Sequence, residues 1–151
     1  MGMRTISPLS ILPIGVLGLV FGLGACHPST VQSSAAGSSA LTAQVERGKL
    51  LYGEHCAKCH GDGGQGSSKA PPVVGKDAFP LQPRPGAKRD VTFRTAADVF
   101  AWATEHMPGD APGTLATDEY LAIFAFDLTA NGVKLTGALD GPMAQSIVLH
   151  P

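Results

Sequence analysis

The sequence predicts an all-α fold: three main helices joined by long irregular loops and packed around a bound group that completes the core. Three observations carry this. Three windows of the chain repeat apolar residues at helical spacing. Aromatic residues make up only 6% of the 151 positions, against 19 glycines and 12 prolines, so the chain alone builds a modest core and much loop. One short run, Cys56-Ala57-Lys58-Cys59-His60, has a spacing that fixes a large apolar prosthetic group covalently.

The first helix is read from about Thr42, a suitable N-cap, into Cys56. Val45, Gly48 and Tyr52 share one of its faces. The second begins at Thr95, where Thr95-Ala96-Ala97-Asp98 has the form of a capping box. Val99, Trp102, Ala103 and His106 follow on one face. The third starts after Thr117, with Asp118 and Glu119 in its first turn, where carboxylates suit the helix dipole. Leu121, Phe124, Ala125 and Leu128 form one apolar face, while Ile123 and Phe126 lie opposite. A helix apolar nearly all round is buried on two sides. Asn131-Gly132 ends it as a C-cap.

A C-x-x-C-H run is the attachment site of a c-type haem. Two thiols one helical turn apart can each add to a vinyl group on the haem edge, and the histidine that follows presents its imidazole to the iron. Cys-x-x-Cys alone also suits half of a zinc site or a redox dithiol. The third cysteine, Cys26, lies in the N-terminal segment, so a zinc site would need scattered histidines to complete it. Neither alternative explains why His60 follows at once.

The N-terminal segment reads as a targeting signal. Met1 to Arg4 carries one positive charge and Ile6 to Ala25 carries none, which makes residues 1–25 a signal peptide. Leu23-Gly24-Ala25-Cys26 resembles the lipobox of bacterial lipoproteins. That resemblance implies cleavage before Cys26 and lipidation of its thiol and new N-terminus, several acyl chains together giving stable anchoring. The alternative is an uncleaved membrane anchor of sufficient length, which Pro8 and Pro13 weaken. Both readings place the domain outside the cytoplasm on a membrane, the lipoprotein reading on the periplasmic side of a bacterial one. Residues 26–40 are rich in Ser, Ala and Gly and carry no formal charge, and read as a lipid-anchored flexible linker. The folded domain is expected over 41–132. The tail, 133–151, carries Gly137 and Gly141-Pro142 and is expected to be irregular.

From Leu41 to Gly132 the chain resembles the class I cytochromes c, small all-α electron carriers. The residues that carry the resemblance are the haem motif, Gly48 with Tyr52, and the run Ile123-Phe124-Ala125-Phe126, which resembles the family's Ile-x-Ala-Tyr. The glycine-rich Gly61-Asp62-Gly63-Gly64-Gln65-Gly66 and the proline segment Ala70-Pro71-Pro72-Val73-Val74-Gly75 belong to it as well. The resemblance implies one haem c on Cys56 and Cys59, His60 as an iron ligand, and a close crossing of the first and last helices at Gly48 and Tyr52. It also implies a proline carbonyl accepting the Nδ1–H of His60, carried over to Pro72; such a bond fixes the ring and raises its donor strength.

The second iron ligand decides the chemistry. After signal cleavage the methionines are Met107 and Met143, and the remaining histidines are His27, His55, His106 and His150. The family's axial methionine lies in a Met-Pro segment between the last two helices, which points to Met107-Pro108. The competing reading makes Met107 a core filler and His106 the ligand, with a lower potential. His55 sits on the proximal side, and Met143 lies in the tail. His/Met ligation leaves no open position on the iron and suits electron transfer.

Lys76, Arg84, Lys88, Arg89 and Arg94 crowd one stretch, where they pair with haem propionates, steer a redox partner, or form a solvated loop. Trp102 is read either as pocket lining near a propionate or as core. The expectation is a membrane-anchored monohaem cytochrome c that passes electrons between redox partner proteins and is not an enzyme. Its competitors are a haem sensor or peroxidase-like enzyme with an open sixth position, and a fixed cytochrome subunit of a dehydrogenase or oxidase. A formal net charge of −1 gives no case for nucleic acid, and no small-molecule substrate is expected.

Overall fold

The computed structural model describes residues 30–150, with side chains from residue 35. The signal peptide, the Cys26 lipid site and His27 lie outside the described residues. The described residues are helical with no strand, in the order α1 (Thr30–His55), α2 (Ala57–His60), α3 (Ala96–His106), α4 (Thr117–Ala130) and α5 (Gly141–Ser146).

Helix α1 begins at Thr30, well before the expected Thr42. Thr42 is an interior residue, and its Oγ1 donates to the Ser38 carbonyl at 3.0 Å instead of capping. The Ser/Ala stretch ahead of it contains no proline, and alanine is the strongest helix former. The segment read as a flexible linker is therefore helical from Thr30 onward, with residues 35–40 mostly exposed.

Helices α1 and α4 form the central crossing. A Cβ on Gly48 would sit 1.8 Å from the Ala122 carbonyl oxygen, so only glycine allows this approach. Four residues on, the buried Tyr52 ring lies 5.4 Å from Phe126, and its hydroxyl donates to the Gly61 carbonyl at 2.7 Å. The sequence therefore welds α1 to α4 and to the loop after the cysteine motif. Helix α4 is buried nearly all round, at Tyr120, Ala122, Ile123, Phe124, Ala125, Asp127 and Leu128.

The caps form as their chemistry dictates. Thr95 Oγ1 accepts from the Asp98 N–H at 3.3 Å, and the Asp98 carboxylate accepts from the Thr95 N–H at 2.7 Å. Helix α4 has only half a box, in which Glu119 accepts from the Ala116 N–H at 2.9 Å. At its far end Gly132, at φ 81°, turns the chain with a bond from its N–H to the Thr129 carbonyl at 2.9 Å.

The tail is not irregular surface chain. Burial alternates along residues 133–139: Val133 and Leu135 are half-buried and Leu139 is 2% exposed, while Lys134, Thr136 and Ala138 face solvent. Gln44 of α1 grips Leu139 through both backbone groups, accepting from its N–H at 2.6 Å and donating to its carbonyl at 2.9 Å. Asp140 caps α5 by accepting from the Met143 N–H at 2.8 Å. The chain end then bonds along the start of α3, Ala96 N–H to Ile147 carbonyl and Leu149 N–H to Arg94 carbonyl, each at 2.9 Å. Glycine and proline shape the turns of this strap, but its apolar residues fix it to the core.

Candidate haem site

Helix α1 breaks at Cys56, and α2 restarts at once. The Cys56 carbonyl accepts from the Cys59 N–H at 3.1 Å and the His60 N–H at 2.9 Å. One helical turn thus holds both thiols and the imidazole. Among the described residues, no group of three or more His, Cys, Asp or Glu side chains could hold a metal ion, so the zinc reading finds no ligand set.

The His60 ring is fixed from behind. Its Nδ1–H donates at 2.7 Å to the carbonyl of Pro71, not Pro72. Gly66 packs against the junction of the two prolines. The Pro72 nitrogen lies 2.7 Å from where a Gly66 Cβ would stand, so this close approach of the glycine loop to the proline pair leaves no room for a side chain. With Nδ1 occupied, Nε2 is left as the donor atom.

His60, Cys56 and Cys59 border a cavity of about 530 Å³. Met107 lines it too, at the end of α3, with its N–H bonded to the Ala103 carbonyl at 2.9 Å and its carbonyl held by the Tyr120 hydroxyl at 2.5 Å. Phe79, Phe93, Val99, Trp102, Ile123 and Phe124 supply apolar walls. Lys58, inside the cysteine motif, forms an ion pair with Asp110, a lining residue in the loop after Met107.

The other candidates fall elsewhere. His106 is exposed and stacks on Trp102 with centroids 4.5 Å apart, its Nδ1 bonded to the Trp102 carbonyl at 2.8 Å. It is a satisfied helix-end histidine. Trp102 serves both readings, lining the cavity and packing edge-on against Phe93 at 6.1 Å. Met143 packs against the core from α5, and His150 Nε2 bonds the Phe79 carbonyl at 2.7 Å. His55 borders the cavity beside Cys56.

The electrostatics are those of a dry site. Burial pushes the Cys56 thiol up to about 12, with Asp127 and Cys59 adding to it. Burial and then Asp127 push the Tyr52 hydroxyl up as well. Burial alone holds the Asp127 carboxyl well above the usual range. Arg89 is 8% exposed and, among the described residues, pairs with no carboxylate. It donates to the Pro80, Leu81 and Val91 carbonyls at 2.8, 3.3 and 2.9 Å and stacks 3.7 Å from the Phe93 centroid. Burial lowers its pKa, and Arg84 lowers it further. Of the five basic residues crowded in the sequence, Arg84, Lys88 and Arg89 border the cavity.

Sequence reasoning missed Asp127 as a site residue. Its signal was an acid inside an otherwise apolar helix. These residues fit a haem: an apolar slot, two free thiols, an imidazole with its outer nitrogen tied down, and a buried cation with no counter-ion among the described residues.

The family model described as "Cytochrome C oxidase, cbb3-type, subunit III" matches residues 43–126, more than half of the chain. The chain belongs to this family of c-type cytochromes. A c-type cytochrome holds haem c covalently and transfers electrons, and this cytochrome has the family's all-α fold. It is 48% identical over 40 residues, 23% of its length, to the thiosulfate dehydrogenase of Stutzerimonas stutzeri (strain A1501), of which that segment is 13%. It superposes on a chain of the sulfane dehydrogenase SoxCD from Paracoccus pantotrophus with a TM-score of 0.54 and 30% identity, covering 70% of the cytochrome and 52% of that chain. The cytochrome therefore spans well under two thirds of either relative.

Proposed function

We propose that this cytochrome is a one-electron carrier with a single haem c attached to Cys56 and Cys59 and ligated by His60 Nε2 and Met107 Sδ. The observation that carries this reading is the cavity with the Pro71-anchored imidazole and Met107 both on its lining. When bound, the haem supplies an Fe(III)/Fe(II) couple whose potential methionine ligation raises. The chain's own residues do the rest. Pro71 orients the imidazole, Tyr120 and the α3 terminus hold Met107, and the apolar wall excludes water. Arg89 stands ready to pair with a haem carboxylate, the role the basic cluster suggested. A haem held by both His60 and Met107 would leave no position on its iron for a substrate, which supports a carrier over an enzyme.

Lipidation at Cys26 and a location on the periplasmic side of a bacterial membrane belong to the same reading, supported by the lipobox-like run. Among the described residues, no helix is long and apolar enough to cross a membrane. Residues 41–132 then form the haem domain, with 133–150 as its strap.

The names of the two relatives favour a second reading about partners: the electron comes from a dehydrogenase acting on a reduced sulfur compound, in which this chain is a fixed subunit or a docking carrier. Reduction of the matured protein by ascorbate, followed by carbon monoxide, tests the ligation. A carrier stays six-coordinate and binds the gas slowly, whereas a sensor or peroxidase-like site binds it at once.

A further inference from the structure

Among the described residues Asp127 is the only buried carboxylate, at 4% exposure, and its Oδ1 has no hydrogen-bond partner. It lies on α4 and lines the haem cavity with Tyr52, Cys56 and His60. Two donors within reach of this region are committed elsewhere. The Asn131 amide bonds the Val73 and Asp127 backbone carbonyls at 2.8 Å each, and the Tyr52 hydroxyl bonds the Gly61 carbonyl. The fold therefore brings a carboxyl to the cavity wall, where its Oδ1 has no protein partner, and such a group calls for a physical explanation.

His55, His60, Lys69, Arg84, Lys88, Arg89 and Asp110 line the same cavity as Asp127. Tyr52 faces it from α1 and the Cys56 sulfur from the α1–α2 junction, and Asp62 bears on Tyr52 in turn. Arg47 of α1 is engaged by Asp118 and Glu119 at the other end of α4. On α3, Asp98 is taken up in the cap, and Glu105 and His106 are exposed. None of these charges bears appreciably on Asp127. Once the Cys56 sulfur is a thioether, the charge most able to govern the carboxyl is that of the bound haem.

We propose that Asp127 takes up and releases one proton in step with the electron, so that this cytochrome is a proton-coupled carrier. On reduction one electron arrives from a one-electron donor protein and one proton passes from water to the Asp127 carboxylate. On oxidation both leave, and only the carboxyl O–H bond forms or breaks. The driving force is electrostatic: reduction removes one positive charge from a dry cavity, and the carboxylate loses the cation that favoured its ionised form.

The inference rests on the haem-binding reading above. The test is a spectroelectrochemical titration of the haem-loaded protein from about pH 5 to about pH 9. The wild type is expected to lose up to about 59 mV per pH unit over part of that range, the value for one proton per electron. Asp127→Asn and Asp127→Leu abolish the slope. A wild-type potential independent of pH overturns the proposal, as does a slope that survives in either variant. Should both variants fail to mature, the reduced-minus-oxidised infrared spectrum of the wild type decides, since reduction must add a protonated carboxyl C=O band. A protein without a haem c spectrum defeats the haem reading itself; a normal spectrum with a flat potential defeats only the role of Asp127.

Discussion

Gly48 and Ala122 meet without room for a methyl group: a Cβ on Gly48 would lie 1.8 Å from the Ala122 carbonyl oxygen and 2.4 Å from its carbon. The obstacle is helix backbone on α4, which cannot swing aside as a side chain can. This contact sets the separation of α1 and α4, and with it the positions of Tyr52 and Phe126 beside the cavity.

Gly48→Ala is therefore expected to cost on the order of 3 kcal/mol, since alanine's better helix propensity is small beside the overpacking. Guanidinium unfolding of the haem-loaded protein measures it. A loss under about 0.5 kcal/mol, the scale of an ordinary surface change, contradicts the crossing.

Gln44→Ala removes both bonds to Leu139 and leaves its N–H and carbonyl without partners. The expected loss is about 1–3 kcal/mol. Amide exchange locates it, with Leu139 and the α5 amides exchanging faster while those of α4 stay protected. Equal change in α4 would mean that the strap is not a separate cooperative unit.

Arg89→Gln removes a buried positive charge from the cavity wall and weakens the three carbonyl bonds of the loop. Stability should fall by about 2 kcal/mol. The reduction potential should fall too, because a nearby cation favours the reduced iron. An unchanged potential means that Arg89 serves only the loop.

The acids work in opposite senses with pH. The Asp127 carboxyl is raised by burial, so the folded protein keeps this proton where the unfolded chain has lost it, above about pH 4. Its contribution is whole below that pH and is lost as pH rises through the folded value. Asp98 is lowered by its hydrogen bonds to Thr95 and Arg94, so its contribution is present above about pH 4 and is lost as pH falls. Relative to Asp127→Asn, the wild type should lose up to about 1.4 kcal/mol of stability per pH unit on the alkaline side of pH 4. Parallel stability curves for the two proteins contradict the burial effect.

Much of this was legible in the chain. Thr95 and Asp98 announce their capping box, the all-apolar third helix announces its burial, and Cys56, Cys59 and His60 fall on one helical turn because their spacing requires it. Local signals failed where a remote contact decides. Nothing within the proline pair says which of its two carbonyls meets His60. Helix α1 starts at Thr30, ahead of the expected Thr42, because a Ser/Ala run has the composition of a linker and the propensity of a helix. The strap is ordered despite its glycines and prolines because Val133, Leu135 and Leu139 follow a period-two pattern that those residues conceal.

The most direct measurement is the absorption spectrum of the matured protein, oxidised and then reduced, beside that of Met107→Ala. Ligation by His60 and Met107 predicts a low-spin c-type spectrum, with a weak near-red sulfur-to-Fe(III) band that disappears in the variant as its potential falls and its iron opens to carbon monoxide. A near-red band that survives the substitution, or a wild-type iron that binds carbon monoxide at once, contradicts ligation by Met107 and with it the carrier.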